Sequence, residues 1–268
     1  MLRSIFGAAV WSRRRSLAWW IGGSFVYLLF LGSAFPTLAD NAADFEKMLD
    51  SYPEALRAMF NMVEGVSLST GPGFLHMELF SLVLPLLLIV FAVGFGARAI
   101  AGEEEEGTLD LILSGPITRR RVLAEQFAAM AASTFAIGLV NFAAMLAAGA
   151  VFDMGLVPGR LAAATFGVVL IALVFGALAL AVGAVTGRRG VAIAVAAATA
   201  LASYLVFSLA DVVTWLGTVQ KASPWYYYAE SAPLLNGLEW AHAGVLAAIA
   251  VALPVAGGVV LERRDLAV

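Results

Sequence analysis

Residues 79–97, LFSLVLPLLLIVFAVGFGA, form a run of 19 residues without an acidic or basic side chain. A helix that crosses a lipid bilayer needs about 20 apolar residues, because each residue advances the helix by about 1.5 Å. The run is continuously apolar, whereas the strands of a membrane barrel alternate apolar and polar side chains. The stretch therefore predicts a membrane-spanning helix.

The rest of the chain repeats this pattern. Stretches of 21 to 27 residues without acidic or basic side chains occur at residues 16–39, 126–152, 161–187, 190–210 and 240–261. We therefore predict one transmembrane domain over residues 1–268, with six spans at about residues 16–39, 76–99, 122–152, 161–187, 190–212 and 240–261.

The composition supports a membrane protein. Hydrophobic residues make up 62% of the 268 residues and charged residues 13%, and the mean hydropathy is +0.91. A soluble domain is about half apolar and about a quarter charged. The figures argue against a nucleic-acid-binding module and against a conventional cytosolic enzyme. The absence of cysteine excludes disulfides, thiol catalysis and cysteine-bound metals.

The distribution of basic residues predicts the orientation of the spans. If the spans alternate, 12 of the 16 Lys and Arg residues lie on one side of the membrane and 4 on the other. Basic residues concentrate on the cytoplasmic side of membrane proteins. We therefore expect an all-α integral membrane protein with six transmembrane helices and with both termini in the cytoplasm.

Three segments outside the spans have amphipathic or aromatic patterns. Residues 1–15 combine an apolar helical face with a basic cluster, which is typical of a helix lying on the cytoplasmic leaflet. The external segment 40–73 has helical spacing with a proline break and predicts short amphipathic helices. In the external segment 213–239, SPWYYY at residues 223–228 indicates an aromatic turn at the membrane interface.

The cytoplasmic segment 100–121 is the most distinctive part of the chain. Residues 102–121 read GEEEEGTLDLILSGPITRRR, with four consecutive glutamates on the side where basic residues dominate. Residues 108–113 have the spacing of a short helix with an apolar stripe, preceded by acidic residues and followed by basic ones. The segment suits docking into a groove on a soluble partner. A solvated charged loop that only terminates two helices explains the pattern equally well.

This segment resembles the permeases of ABC-2 type transporters. The resemblance lies in the Glu-Glu before Gly-Thr-Leu, and in the Pro-x-x-Arg-Arg that begins at Pro116. It extends to the preceding span Phe80–Ala97, to Ser223-Pro224 with the tyrosines that follow, and to residues 262–266, ERRDL. The six spans with both ends inside also match, so the resemblance covers nearly the whole chain.

The resemblance implies a permease subunit in which the first cytoplasmic loop forms a coupling helix that inserts into a separate ATP-binding subunit. It implies two ATP-binding subunits and a second permease copy, identical or homologous. The residues at or near the ATPase contact would be Glu103, Glu104, Glu105, Glu106, Gly107, Thr108, Leu109, Leu113, Pro116, Arg119, Arg120 and Arg121.

The resemblance also places a translocation path between two permeases, where we expect spans 2 and 5 to face the second copy. No acidic or basic residue falls clearly at mid-bilayer, which argues against ion-coupled transport and favours an apolar or amphipathic small molecule, such as a drug, antibiotic or lipid-like compound. The residues proposed for the path are Phe91, Phe95, Ser203 and Phe207.

The chain lacks the motifs of an ATPase or a metal enzyme. No Gly-x-x-x-x-Gly-Lys-[Ser/Thr] occurs, so we expect ATP and Mg²⁺ to be bound by the partner subunit. His76 and His242 belong to no His-Glu-x-x-His motif. We expect no catalytic or metal residue and no nucleic-acid partner, in a multi-pass exporter subunit of the cell (plasma or inner) membrane. An ATP-independent transporter or channel, and a membrane anchor that recruits a soluble partner, remain as alternatives.

Overall fold

The structure, a computed structural model, describes residues 4–53, 56, 67–110, 114 and 117–264, and contains helices and turns without a strand among these residues. Six helices are long and apolar enough to cross a membrane, which confirms the predicted all-α membrane fold. They are span 1 (Arg14–Asp40), span 2 (Gly71–Glu105), span 3 (Arg119–Val151), span 4 (Pro158–Thr186), span 5 (Arg189–Ser208) and span 6 (Trp240–Arg263).

Shorter helices connect or precede the spans. The N-terminal helix, Ile5–Ser12, is capped by the Ser4 hydroxyl, which accepts a hydrogen bond from Gly7 N. A helix at Ala42–Asp50 follows span 1. Between spans 5 and 6 lie helices at Thr214–Val219, Pro224–Ala229 and Pro233–Asn236, with a 3₁₀ turn at Gln220–Ala222.

Spans 2 and 5 differ most from their predicted bounds. The helix of span 2 continues through Glu105, so residues 100–102 and three glutamates that we expected in a loop are helical. Hydropathy identifies the apolar part of a helix but not where its hydrogen bonding stops. Span 5 ends at Ser208 instead of near residue 212, because residues 209–212 form turns.

Span 2 is not a uniform α-helix. A π-helical turn at His76–Phe80 precedes the central α-helix Val83–Ala97, and a second π turn follows at Arg98–Gly102. Such turns are rare and are found mostly as single turns inside α-helices. Span 2 therefore has an irregular segment on each side of its regular centre.

Span 4 forms the centre of the bundle and contacts spans 2, 3, 5 and 6. In its most apolar stretch 83% of the residues are buried, compared with 22% in span 1. Spans 2 and 4 approach so closely that a Cβ at Gly96 would lie 2.2 Å from Gly176 O. Small residues permit such backbone contact between membrane helices, so these glycines position span 2 against the centre.

Span 1 lies at the periphery and packs on span 3. Its buried residues, Ser24, Leu28, Gly32 and Phe35, recur at helical spacing and form one stripe. The Ser24 hydroxyl donates to Asn141 Oδ1 on span 3 at 2.7 Å. The Ser24–Asn141 pair and the close approach of Gly32 to Ala148 on span 3 therefore fix the register of the two helices.

Two side chains of the aromatic turn are buried among the spans, and the position of this turn at the membrane interface stays a prediction. Trp225 and Tyr228 are each 3% exposed. The indole Nε1 donates to Ala200 O at 3.2 Å and the Tyr228 hydroxyl donates to Phe80 O at 2.5 Å. Because both polar groups find backbone acceptors, the rings can be buried. This burial raises the pKa of the Tyr228 hydroxyl.

Candidate coupling site at the arginine-rich end

The loop between spans 2 and 3 lies at the end of the bundle that carries most of the arginines. Span 2 stops at Glu105, and Gly107 follows with a left-handed φ of +69°. Thr108 closes this turn, because its backbone N donates to Glu103 O at 2.8 Å and its hydroxyl donates to Glu103 Oε2 at 2.5 Å. The turn ends span 2 and begins the segment that contains Leu109 and Asp110.

Each glutamate of the acidic run has a different partner. Glu103 accepts from Thr108, and Glu106 pairs with Arg98 of its own span at 2.7 Å. Glu104 forms an ion pair with Arg264, the residue after span 6. Glu105 Oε1 accepts from the backbone N of Arg189, the first residue of span 5, at 2.8 Å. The run therefore connects the end of span 2 to two other spans and to the loop.

The Glu105 contact is a helix cap supplied by another element. The first backbone N–H groups of a helix have no partner within it, and a carboxylate there also interacts favourably with the helix dipole. Arg188, the residue at the N-cap of span 5, supplies no side-chain cap. Glu105 therefore ties the beginning of span 5 to the end of span 2.

The basic run holds span 3 to span 6 and to the N-terminal helix. Arg119 Nη1 donates to the carbonyls of Leu261 and Arg264, at 2.8 and 2.6 Å. Arg120 makes a bidentate pair with Glu262, with both N–O distances at 2.5 Å. Arg121 pairs with Glu125 at 2.9 Å.

The carboxylate of Glu125 also connects the N-terminal helix to span 3. Its second oxygen accepts from Phe6 N, in the first turn of the N-terminal helix, at 3.0 Å. This is again an acidic side chain of one helix at the N-terminus of another. The N-terminal helix, span 3 and span 6 are thus joined through residues of the basic run and their partners.

A small apolar cluster lies beneath the charged residues. Leu109 is only 3% exposed. It packs with Ala99, Ile100, Val122, Leu123, Leu180, Ala184 and Leu261, which come from spans 2, 3, 4 and 6. As placed, Leu109 anchors the loop to the bundle instead of presenting an apolar surface to solvent.

The outward part of the loop lies between these anchors. Gly107, Asp110 and Ser114 are exposed. Leu109 and Asp110 are helical, and Ser114 N donates to Asp110 O at 2.9 Å. The predicted short helix over residues 108–113 includes Leu113, which lies outside the described residues, as does Pro116.

Arg13 is a member of this end that the sequence pattern did not single out. Its guanidinium lies over the ring of Phe95, 4.2 Å from the centroid. Burial lowers the pKa of Arg13, and the nearby carboxylates of Glu103 and Glu106 oppose this effect. The charge of Arg13 and the acidic run therefore influence each other across the end of span 2.

The sequence predicted which residues gather at this end, but it did not predict the partners Arg189, Glu125, Glu262 and Arg264. Glu262 and Arg264 were visible only as part of the ERRDL segment, of which residues 265–268 lie outside the described residues. The density of charged residues was the available signal. Charged side chains that are partly buried need partners of opposite charge or hydrogen bonds.

The four residues proposed for the translocation path are buried within the single chain. Phe91 and Phe95 lie on span 2 with their rings 6.2 Å apart, and Ser203 and Phe207 lie one turn apart on span 5. All four are less than 10% exposed. The pairs lie on two contacting spans, and their role in transport stays a prediction.

Among the described residues no group of three His, Asp or Glu side chains is arranged to hold a metal ion. The contacts described at this end are ion pairs and helix caps that join helix ends. Such an arrangement can transmit displacement of the loop to the spans.

The comparison with protein families agrees with the geometry. The family described as ABC-2 family transporter protein matches residues 5–266, almost the whole chain. No curated protein matches the chain closely enough to indicate a relationship. The chain belongs to the ABC-2 transporter family, as a multi-pass membrane permease of ABC-type transport.

Proposed function

We propose that the chain is the permease subunit of an ATP-driven exporter, coupled to a separate ATP-binding subunit through residues 100–121. The observation that carries the proposal is the construction of this loop. It has a tip, in which Gly107, Asp110 and Ser114 are exposed. Its stem consists of acidic and basic residues, Glu103–Glu106 and Arg119–Arg121, whose contacts involve spans 2, 3, 5 and 6. Force applied at the tip therefore reaches several spans at once.

The proposal assigns different tasks to the tip and to the stem. Gly107, Asp110 and Ser114 would contact the ATPase, since they are exposed. Glu103–Glu106 and Arg119–Arg121 would transmit the movement, since most of their charges are engaged within the chain. The arginine-rich end then lies in the cytoplasm, as basic residues favour, and ATP and Mg²⁺ are bound by the partner.

A second permease copy and two ATP-binding subunits complete the proposed assembly. Span 5 supports this arrangement, because in its most apolar stretch only 28% of the residues are buried. Val191, Ile193, Val195 and Leu201 are among its exposed side chains. Spans 2 and 5 of the two copies would enclose the path, with Phe91, Phe95, Ser203 and Phe207 moving towards it when the packing changes.

The cargo proposed for this path is an apolar or amphipathic small molecule. The rings of Phe91 and Phe95 and the sparse hydroxyls of span 5 offer dispersion contacts and few charges. A path of this composition stabilises the apolar surface of a cargo molecule but offers no opposite charge to an ion that has lost its water.

The test is affinity purification of the tagged chain from its native membrane in mild detergent, with identification of co-purifying proteins. Asp110→Arg reverses a charge at the tip, and Asp211→Arg makes the same change at an exposed residue at the opposite end of the bundle. We expect a stoichiometric P-loop ATPase with the unaltered chain and with D211R, and its loss with D110R. If the folded chain is recovered alone under these conditions, the ATP-driven function is wrong and an ATP-independent carrier replaces it.

A further inference from the structure

The residue after span 6, Arg264, contacts three other spans. Its Nη1 donates to Ala184 O near the end of span 4 at 3.0 Å, and its Nη2 pairs with Glu104 at the end of span 2. Its own carbonyl accepts from Arg119 Nη1 at the beginning of span 3 at 2.6 Å. Arg264 therefore joins the end of span 6 to both sides of the loop, at Glu104 before it and at Arg119 after it.

The Arg264–Glu104 pair occupies the space beside Gly187. Gly187 ends span 4 with a φ of +64°, and a Cβ there would lie 2.7 Å from Arg264 Nη2 and 2.8 Å from Glu104 Oε2. Gly183 and Gly187 form a Gly-x-x-x-Gly in sequence, yet only Gly187 stands at this turn, where an added Cβ would displace the ends of the Arg264 and Glu104 side chains. The helix ends of spans 2, 4 and 6 meet at Gly187.

The ion pair is largely shielded from water. The Glu104 side chain is 8% exposed and that of Arg264 is 18% exposed. Removing one member of such a pair leaves a buried charge without compensation, whereas an exposed pair contributes little. Of the ion pairs at this end, Arg264–Glu104 is therefore the one whose loss changes how the helix ends sit together.

Span 6 has a weak point behind this contact. Pro254 lies inside the helix and cannot donate the backbone hydrogen bond of its turn. Beyond it, Gly257 packs against span 4, where a Cβ would lie 2.9 Å from Ala181 Cα. Residues 255–264 thus form a short arm, which begins after Pro254 and ends at Arg264.

We infer that Arg264 is a positioning residue that couples the loop to span 6, so that displacement of Glu104 and Arg119 by the ATPase moves the arm 255–264. The inference rests on the proposed function. It adds span 6 to the spans that carry the conformational change, through a residue that contacts neither cargo nor the exposed tip.

The test measures movement of this arm in the co-purified complex, reconstituted in lipid nanodiscs. The chain has no cysteine, so spin labels can be placed at two engineered cysteines, Val260→Cys on span 6 and Leu139→Cys on span 3. Both positions are exposed. The distance distribution is recorded without nucleotide and after trapping with ADP and vanadate.

The decisive variants are Arg264→Gln and Glu104→Gln, with Arg263→Gln as the matched control. Arg263 is the exposed neighbour and loses the same charge. We expect trapping to change the distance between the labels in the parent and in R263Q. In R264Q and E104Q we expect this change to be at most about half as large as in the parent. ATPase binding and hydrolysis are measured in every preparation, and we expect R264Q to retain both, since Arg264 is not among the residues proposed to contact the ATPase. If R264Q fails to assemble, E104Q, which keeps hydrogen-bonding oxygen at residue 104, decides the question.

Three results would overturn the inference. These are an unchanged response in R264Q and E104Q, an equal loss in R263Q, and an arm that does not move in the parent although the ATPase is bound and active. Absence of an ATPase from the parent preparation is a different result, which refutes the proposed function and the inference with it.

Discussion

At the arginine-rich end of the bundle charged side chains join the helix ends, whereas at the opposite end neutral side chains donate to backbone carbonyls. Arg264 and Glu104 represent the first kind of contact. Trp225 and Tyr228 represent the second, with the acceptors Ala200 O and Phe80 O. The loop at the first end also has an exposed tip, and the second end buries the rings of Trp225 and Tyr228 in the core.

The difference indicates which end is built to move. An ion pair can exchange its partner for another charge, and salt screens it when it is exposed. A buried ring bonded to a backbone carbonyl has no alternative partner and loses both packing and a hydrogen bond when displaced. We therefore expect the opposite end to act as the fixed part of the bundle.

The strongest way to break this comparison is Trp225→Ala at the fixed end. The substitution removes a ring that lies 4.9 Å from the Tyr204 ring and loses the bond to Ala200 O. We expect a loss of about 3 to 5 kcal/mol of stability, as for other buried aromatic deletions, seen as a lower Tm of the purified chain. Trp215→Ala, at an exposed residue of the same end, should change stability by less than about 0.5 kcal/mol. Equal effects would show that the buried turn does not stabilise this end.

The next prediction concerns the turn at the end of span 4. Gly187→Ala forces a side chain into a left-handed backbone and against the Glu104–Arg264 pair, so we expect a loss of about 2 kcal/mol or more. Gly107→Ala has a similar φ of +69° but nothing within 4 Å of the added Cβ, and should cost only about 1 kcal/mol. Thermal unfolding of the two variants measures the contribution of the pair. A smaller effect at residue 187 than at residue 107 would contradict it.

A single-atom change sharpens the comparison further. Tyr228→Phe removes the hydroxyl that donates to Phe80 O and should cost about 1 to 2 kcal/mol, because a buried carbonyl loses its donor.

The same hydroxyl predicts a dependence on pH. Burial raises the pKa of Tyr228 in the folded chain, so folded and unfolded chains are both protonated below about pH 10. Above about pH 10 the unfolded chain releases the proton first, and stability falls. Unfolding measured at pH 8 and pH 10.5 should therefore show a smaller difference between wild type and Y228F at the higher pH. A constant difference would count against the burial of this group.

The smallest expected effect is at the exposed pair of the arginine-rich end. Arg98 and Glu106 are each about half exposed, so Glu106→Gln should cost no more than about 0.5 kcal/mol, and less at high salt. The Tm of wild type and E106Q in low and high salt measures this. A loss comparable with that of W225A would mean that this end is not the adjustable one.

The fold followed from the sequence because the length of an apolar run determines whether a helix can cross a bilayer. The ends of the helices did not follow, because Glu103–Glu105 continue span 2 although they are charged. Hydropathy does not register a polar turn whose side chains are paired at the end of a helix.

The candidate site followed only in part. The motif placed Glu103–Glu106 and Arg119–Arg121 at one end of the bundle. Their partners depend on which helix ends become neighbours, and a local sequence pattern does not predict which ones do. Trp225 shows the same limit, since an aromatic turn is buried when another helix offers an acceptor such as Ala200 O. Periodicity predicts faces of single helices, whereas both features arise between helices.

The two π turns of span 2 have a consequence for changes in chain length. A π turn holds one residue more than the α turn it replaces, and in an α-helix one residue corresponds to a rotation of about 100°. Deletion of one residue within Arg98–Gly102 would therefore restore a regular helix while Glu103–Glu105 keep their direction. The same deletion in Val83–Ala97 would turn those glutamates away from Arg264 and Arg189. Length variation in this span should thus be tolerated at its π turns and excluded from its centre.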